Sequence, residues 1–226
     1  MFLNRIVARL SKLTSQSAIW PPIDDELLEW KNRGFLKGKV LNAGAGSREI
    51  GHLIDGELVN QDIRWPGDAR TNIQIFSPIH EIPRGDETFD AIVCIAVLEH
   101  VENPEEVIPE FFRVLKPGGV VIATIPFLQP EHKVPTDFQR YTRDGIVRLF
   151  ACRGFEVIES RPLFTVYHTL HWLVYEWLHL KSTFAYRAMR WTLLPILAHR
   201  AKHSRTQSDV LASGFQVVAR KPVAGR

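Results

Sequence analysis

The residues best placed for chemistry are two glycines and an aspartate in the first third of the chain. Gly44 and Gly46 follow the apolar pair Val40 and Leu41, so a buried strand is predicted to end there in a tight turn. Asp62 ends a second short apolar run, eighteen residues after Gly44. In a unit of strand, loop, helix and strand, an acid at that place accepts hydrogen bonds from ribose hydroxyls. The spacing therefore predicts a site for an adenosine-bearing cofactor.

The turn itself argues against a nicotinamide dinucleotide. The fingerprint for that cofactor has a third glycine where this sequence has Glu49, whose carboxylate would face a pyrophosphate. A helix over 48–54 is predicted to follow the turn and to present free backbone N–H groups to the ligand. A cofactor without a pyrophosphate is favoured.

A second group of reactive side chains lies between residues 126 and 142. His132 is the predicted general base, with Asp137 holding its tautomer, because an unperturbed imidazole titrates near neutral pH. Arg140 and Tyr141 are predicted to contact the substrate. The alternative is that these four side chains only brace a loop. Glu99 and His100 form a further candidate pair, predicted to line the acceptor pocket.

These residues require elements to position them, and the chain alternates strands with helices. This alternation predicts an α/β fold with a doubly wound sheet, whose ligands bind beyond the carboxyl ends of the strands. The predicted strands are 39–42, 58–63, 71–76, 90–95, 120–125, 155–160 and 214–219, and the predicted helices include 25–33, 104–115 and 142–154.

The order of motifs resembles the class I S-adenosylmethionine-dependent methyltransferases of the type 11 kind. The resemblance covers about residues 38–160 and includes the glycine turn, the strand from Asp90, the pair Glu99-His100 and the turn at 116–119. It implies a Rossmann-like seven-stranded sheet with strand seven antiparallel and a helical insertion, residues 161–213, between strands six and seven. The implied cofactor is S-adenosylmethionine.

The resemblance also implies roles for individual residues. Gly44 and Gly46 would border the methionine end of the cofactor, and Asp62 would bind its ribose. Two positions depart from the family: Asn42 stands where an acid is usual, and Ser77 stands where an acid often holds the adenine amino group. The cofactor-binding residues inferred in this way are Asn42, Gly44, Gly46, Asp62, Ile63, Ser77, Ile95 and Ala96.

Charge is distributed unevenly along the chain. Residues 161–226 carry ten basic and two acidic side chains, whereas residues 41–160 carry eleven and nineteen. Residues 1–20 form a predicted basic amphipathic helix, either a lid on the domain or an interfacial helix on an anionic membrane. Residues 163–180 of the insertion are rich in aromatic side chains, and the three histidines there, His168, His171 and His179, match no recognised metal pattern, so no metal ligands are predicted.

The sequence thus predicts an N-terminal helical cap over residues 1–37 and a methyltransferase domain over residues 38–226. The leading function is methyl transfer to a small-molecule or lipid-linked acceptor. The alternatives are an RNA or protein methyltransferase and a non-catalytic S-adenosylmethionine-binding module; nucleic acid is disfavoured because arginine-glycine repeats and an aromatic strand platform are missing. Two cysteines without a CxxC motif favour a reducing cytoplasm. The basic ends of the chain favour a peripheral place at the inner membrane face. The sequence does not indicate the oligomeric state.

Overall fold

The structure is a computed structural model that describes residues 23–133 and 135–223. Its main feature is a seven-stranded sheet with the order β3-β2-β1-β4-β5-β7-β6. The strands are β1 (Lys37–Ala43), β2 (Asp55–Asp62), β3 (Ile75–Phe76), β4 (Phe89–Ile95), β5 (Leu115–Pro126), β6 (Glu156–Leu163) and β7 (Gly214–Arg220). The chain reverses its direction of winding between β1 and β4. In open α/β sheets, ligands bind beyond the carboxyl ends of the strands at such a reversal.

The strand directions follow from the pairing. β1 pairs in parallel with β2 and β4, and the same holds for β2 with β3 and for β4 with β5. At the start of β5, Gly118 N–H donates to Lys221, just past the end of β7, and Lys221 N–H donates to Gly119. The start of β5 therefore lies beside the end of β7, so these two strands run antiparallel. The predicted doubly wound sheet with an antiparallel seventh strand is confirmed.

Five helices are described within residues 23–133 and 135–223. They are α1 (Ile23–Asn32), α2 (Pro104–Val114), α3 (Arg143–Ala151), α4 (Val166–His179) and α5 (Phe184–His203). Pro104 begins α2, and Glu105 and Glu106 lie in its first turn, where carboxylates favour the positive end of the helix dipole. In α3, the Thr142 side chain accepts a hydrogen bond from Gly145 N–H and caps the helix.

The helix predicted over 48–54 is wrong. Only a single 3-10 turn, Gly51–Leu53, is present, and β2 already begins at Asp55, three residues before the predicted strand start at 58. Ile50 and Leu53 are buried in the core. Their helix-like spacing therefore comes from packing beneath a turn and not from an α-helix. A three-residue turn has no helix dipole to offer a ligand.

The core surrounds the middle of the sheet. Ala91 to Cys94 of β4 are all essentially inaccessible, as expected for a parallel strand covered on both faces. Trp30 of α1 is fully buried, and its indole N–H donates to Gln216 Oε1 of β7 at 2.6 Å. This bond satisfies a buried polar group and ties α1 to the sheet.

The described chain divides into two compact units. The larger comprises residues 23–126, 132–161 and 215–223, and the smaller comprises residues 127–131 and 162–214. The smaller unit contains α4 and α5, and the predicted insertion is therefore helical over these two elements. Among the described residues, no helix is both long and apolar enough to cross a membrane. The predicted amphipathic helix over residues 1–20 lies outside the described residues, and the predicted domain boundaries stay a prediction.

Candidate active site

The turn after β1 is bonded to the neighbouring strand through its backbone. Gly44 N–H and Ala45 N–H both donate to the Gln61 carbonyl oxygen at 2.9 Å, and Gly46 N–H donates to the Asp62 carboxylate at 2.8 Å. Three backbone N–H groups of the glycine turn are therefore bonded to β2 and are not directed at a ligand.

Glycine is needed at positions 44 and 46 for different structural reasons. Both have positive φ angles, +70° at Gly44 and +57° at Gly46. A Cβ added at Gly44 would lie 2.4 Å from a methyl group of Val97, whereas a Cβ at Gly46 would meet no atom within 4 Å. Gly44 thus allows the turn after β1 to pack on the segment after β4. Gly46 borders open space, which is where a ligand can approach the backbone.

Asp62 is at the end of β2, as predicted, but its carboxylate is already engaged. It accepts hydrogen bonds from Gly46 N–H and Ile63 N–H, and Arg70 Nη1 lies 2.5 Å from Oδ2. Arg70 is itself held by Asp68 through a salt bridge. A carboxylate has about four acceptor positions, so three donors leave room for roughly one ribose hydroxyl. Sequence reasoning missed Arg70, because a lone arginine eight residues beyond the strand carries no motif.

The other predicted cofactor residues lie at the same edge of the sheet. Ser77 follows β3, directly beside Asp62, whose carbonyl accepts its backbone N–H. Ile63 is 40% exposed beside the same carboxylate. Asn42 is buried, and its amide donates to Asn60 Oδ1 at 2.9 Å. Asn42 therefore holds β1 to β2 by donating from its amide, which an ionised carboxylate cannot do.

The end of β4 is strained. Ala96 has φ +51°, which is rare for a residue with a Cβ and costs about 1–2 kcal/mol. Its N–H donates to the carbonyl and hydroxyl oxygens of Thr124 on β5, which hold the turn in place. Ile95 is buried next to it. Strain of this kind persists where the surroundings impose it, and here it directs Val97 toward Gly44.

Three reactive side chains meet just beyond β4 and β5. Glu99 and His100 lie on the 3-10 turn Leu98–His100, and His132 comes from the loop after β5. Glu99 Oε1 lies 3.7 Å from His100 Nε2 and 3.6 Å from His132 Nε2. Glu99 is fully buried, and neither of its carboxylate oxygens has a hydrogen-bond partner. The two candidate pairs of the sequence analysis therefore form one cluster.

Asp137 acts on His132 through the backbone. Its carboxylate accepts the His132 backbone N–H at 2.8 Å, while the imidazole Nδ1 lies 3.7 Å away, beyond hydrogen-bond distance. Arg140 binds both carboxylate oxygens. Burial opposes ionisation of Asp137, but Arg140 and the His132 N–H outweigh it and hold the pKa at about 2. The predicted tautomer-fixing bond between Asp137 and His132 is not formed in this structure.

The loop that carries His132 is fastened to the turn that carries Glu99. Phe138 N–H donates to the Glu99 carbonyl at 2.8 Å, and Gln139 Nε2 donates to the carbonyl groups of Leu98 and Val101. These backbone contacts fix the distance between the two halves of the cluster. Tyr141 follows the loop and is partly buried, and burial together with Glu105 raises the pKa of its phenol.

Metal-type donors are also grouped here. Within the described part of the chain, one set of three such side chains has its ligand atoms within 4.8 Å of one another, namely Glu99, His100 and His132. No metal ligands were predicted from the sequence, because residues 99 and 132 belong to two segments that only the fold brings together. The histidines of α4, on which the sequence analysis focused, are not part of this set.

Comparison with known proteins agrees with the topology. Residues 56–123 match the family model of a methyltransferase domain. A probable S-adenosylmethionine-dependent methyltransferase of Mycolicibacterium smegmatis is 31% identical over 135 residues, which cover 56% of this chain and 51% of that protein. A ubiquinone biosynthesis O-methyltransferase of Pseudomonas fluorescens is 51% identical over 72 residues, 32% of this chain and 25% of the relative. The chain thus spans half the length, or less, of these two relatives.

A solved structure shows the same fold with another activity in its name. The [4+2]-cyclase SpnF superposes with a TM-score of 0.59 at 18% identity, over 93% of this chain and 86% of the cyclase. The fold alone therefore does not define a reaction. The domain match and the methyltransferase relative support a class I S-adenosylmethionine-dependent methyltransferase with S-adenosylmethionine as its cofactor.

Proposed function

We propose that this protein transfers the methyl group of S-adenosylmethionine to a hydroxyl group of a small-molecule or lipid-linked acceptor. One observation carries the proposal: a buried carboxylate, Glu99, lies between two imidazoles at the sheet edge where the glycine turn ends β1. Methyl transfer from a sulfonium is an in-line displacement that needs an aligned acceptor and, for a hydroxyl, the removal of a proton. The cluster provides groups for that proton.

The donor side of the reaction is assigned to the carboxyl ends of β1, β2 and β4. Asp62 would accept a ribose hydroxyl, and the open space beside Gly46 would receive the cofactor. The strained turn at Ala96 would lie near its amino-acid end. Val97, on the same turn, packs on Gly44, so the donor site and the acceptor cluster share one short segment of chain.

The acceptor side is assigned to the cluster. A proton taken by His132 Nε2 would face the Glu99 carboxylate at 3.6 Å, and this pairing stabilises the imidazolium. Two further findings support a hydroxyl acceptor of the quinone-precursor type. The matched Pseudomonas fluorescens relative is named as an O-methyltransferase of ubiquinone biosynthesis. Leu180, just after α4, and Phe184, the first residue of α5, are 77% and 81% exposed, and exposed apolar side chains of this size suit contact with a lipid tail or with the cytoplasmic face of a membrane.

The test has two stages. Calorimetry should first show S-adenosylmethionine binding, and its absence would refute the cofactor assignment for this chain. The protein is then incubated with methyl-labelled S-adenosylmethionine and a catechol that bears a short isoprenoid chain, and labelled methyl ether is measured. His132→Ala should lower kcat by about 10²–10⁴ while cofactor affinity is kept. The exposed His80 provides the control, because His80→Ala should leave both values unchanged.

The alternatives predict other results. A non-catalytic binding module would bind S-adenosylmethionine without forming labelled product from any acceptor. An RNA or protein methyltransferase would label macromolecules in a cell extract, and that label would be removed by ribonuclease or protease. Label that instead partitions with the lipid or small-molecule fraction supports the proposal.

A further inference from the structure

We propose that Glu99, His100 and His132 bind one divalent transition-metal ion, of which Zn²⁺ is the representative. The site lies beyond the carboxyl ends of β4 and β5, and it was not predicted from the sequence. Its donors are one carboxylate oxygen and two imidazole nitrogens, all within 4.8 Å of one another. Two imidazoles and a carboxylate are a donor set that Zn²⁺ and similar ions favour, whereas Mg²⁺ and Ca²⁺ prefer oxygen alone.

The distances fit an ion after a small contraction. Zn²⁺ binds nitrogen and oxygen ligands at about 2.0–2.2 Å, so two ligands of a tetrahedral ion lie about 3.3 Å apart. The observed separations from Glu99 Oε1 are 3.7 Å to His100 Nε2 and 3.6 Å to His132 Nε2. The imidazole rings are nearly perpendicular, at 87°, with centroids 5.2 Å apart. Each Nε2 can therefore approach a common point without a clash between the rings.

The Glu99 carboxylate needs a positive charge. Its side chain is 0% exposed, and neither oxygen has a hydrogen-bond partner. An ionised carboxylate in such surroundings costs far more than a paired one. A metal ion between Glu99 and the two imidazoles would compensate the negative charge of the carboxylate and would be coordinated by one or both of its oxygens.

The protonation of His100 also favours a metal ion at this cluster. Its Nδ1 lies 2.5 Å from the Thr136 carbonyl oxygen, which can only accept, so Nδ1 must carry a hydrogen. In the neutral ring, Nε2 then presents a lone pair toward the carboxylate. Two electron-rich groups that face each other are stabilised by a cation between them, either a proton or a metal ion. A histidine that donates its other ring nitrogen to a carbonyl is the usual arrangement of a metal ligand.

His132 has an outer partner of the same kind. The Asp137 carboxylate lies 3.7 Å from Nδ1, and Arg140 Nη2 lies 3.4 Å from the same atom. A small rotation of the ring would bring Nδ1 into hydrogen-bond contact with Asp137 and direct Nε2 to the ion. The contacts of Phe138 and Gln139 with the Leu98–Val101 segment fix both sides of the site before any ion binds.

The role of the ion rests on the proposed function. Three protein ligands leave a coordination position for the acceptor oxygen, and the ion lowers the pKa of a bound hydroxyl. The hydroxyl then loses its proton to solvent. The oxygen lone pair forms the bond to the methyl carbon, and the electrons of the broken sulfur–carbon bond return to sulfur, leaving S-adenosylhomocysteine. In this proposal His132 holds the ion in the active protein, and the ion takes over the removal of the acceptor proton.

The first test measures metal binding without any acceptor. The full chain is treated with a chelator, dialysed and titrated with Co²⁺, whose visible absorption reports nitrogen and oxygen ligation, and then with Zn²⁺ in competition. One ion per chain is expected. Glu99→Gln and His132→Ala should each weaken binding by at least about 100-fold, the upper limit for loss of an outer-shell partner. His80→Ala, at an exposed histidine outside the cluster, is the matched control and should bind like the parent protein.

Thermal unfolding separates lost ligation from lost folding. Zn²⁺ at 100 times its Kd should raise the Tm of the parent protein by about 5–10 °C and leave that of Glu99→Gln unchanged. Without metal, Glu99→Gln should unfold at a Tm close to that of the parent, because the amide keeps the shape of the side chain. Failure of Co²⁺ and Zn²⁺ to bind at millimolar concentration, or equal binding by parent and variants, would overturn the site.

Activity tests the role of the ion separately from its binding. Chelation should abolish methyl transfer, and Zn²⁺ or Co²⁺ should restore it, while S-adenosylmethionine binding by calorimetry is unaffected. Full methyl transfer in the metal-free protein would overturn the catalytic role and leave the proposed function intact. Loss of cofactor binding would instead contradict the proposed function and say nothing against a metal site that still binds Co²⁺.

Discussion

Alanine at Gly44 and alanine at Gly46 should affect the protein differently, although both positions belong to one turn. Each substitution puts a Cβ on a residue with positive φ, +70° or +57°, which costs about 1–2 kcal/mol. At Gly44 the new methyl would lie 2.4 and 2.7 Å from the two methyl groups of Val97, and at Gly46 no atom lies within 4 Å. Overpacking of this kind adds about 1–3 kcal/mol. Gly44→Ala should therefore lose about 2–5 kcal/mol of unfolding free energy, and Gly46→Ala about 1–2 kcal/mol.

Urea denaturation of the two variants measures this difference, and Val97→Ala provides the matched test. Removing the Val97 methyl groups should relieve the contact, so the double variant Gly44→Ala/Val97→Ala should show a favourable coupling of about 1–3 kcal/mol. The same Val97→Ala change should show no coupling with Gly46→Ala. Calorimetry should give the opposite order for S-adenosylmethionine affinity, which Gly46→Ala should reduce more than Gly44→Ala does. Gly46→Ala should weaken binding by at least about tenfold, or 1.4 kcal/mol. Equal losses of stability in both single variants, or no rescue by Val97→Ala, would refute the packing argument.

Three further predictions use other parts of the chain. Burial raises the pKa of Glu26 from 4.5 to about 7, so the folded state retains a proton that the unfolded state loses. The free energy of unfolding should therefore fall as pH rises from about 4.5 to 7. Urea titrations of Glu26→Gln should lack this pH dependence and show up to about 3 kcal/mol more stability at pH 8. Asp62→Ala should weaken S-adenosylmethionine binding by about 1.5–3 kcal/mol in calorimetry, and unchanged affinity would remove Asp62 from the ribose site. The protein should co-sediment with anionic liposomes at low salt and be released at high salt, and Leu180→Glu/Phe184→Glu should remain in the supernatant.

The architecture of the sheet was predictable because each strand carries its own signal. Continuous apolar runs bounded by glycine, proline or acidic residues predict buried parallel strands, and the end of β4 at Ile95 agrees with the prediction. The segment after Gly46 was not predictable in the same way. Ile50 and Leu53 have helical spacing, but the chain reaches β2 too soon for an α-helix, and only the fold shows that distance.

The candidate site was predictable residue by residue but not as an arrangement. The reactivity of His132 and of Glu99 is a property of residue type, and both were selected from the sequence. Their meeting depends on Phe138 and Gln139, whose bonds to the turn before α2 leave no sequence pattern. The same applies to Arg70, which reaches Asp62 from a loop without regular structure. Contacts between loops follow from tertiary packing, which a linear pattern does not encode.

The short segment from Ala96 to His100 links the two halves of the site. Its first residue is held in a strained conformation by Thr124, its second packs on the glycine turn, and its last two enter the cluster with His132. A shift of the glycine turn must therefore move Val97, and through it Glu99, which is only two residues further along a single 3-10 turn. In-line transfer depends on the position of donor and acceptor to within a fraction of an ångström. Because one rigid segment contacts both, cofactor binding at the glycine turn and the geometry of the Glu99 cluster should change together.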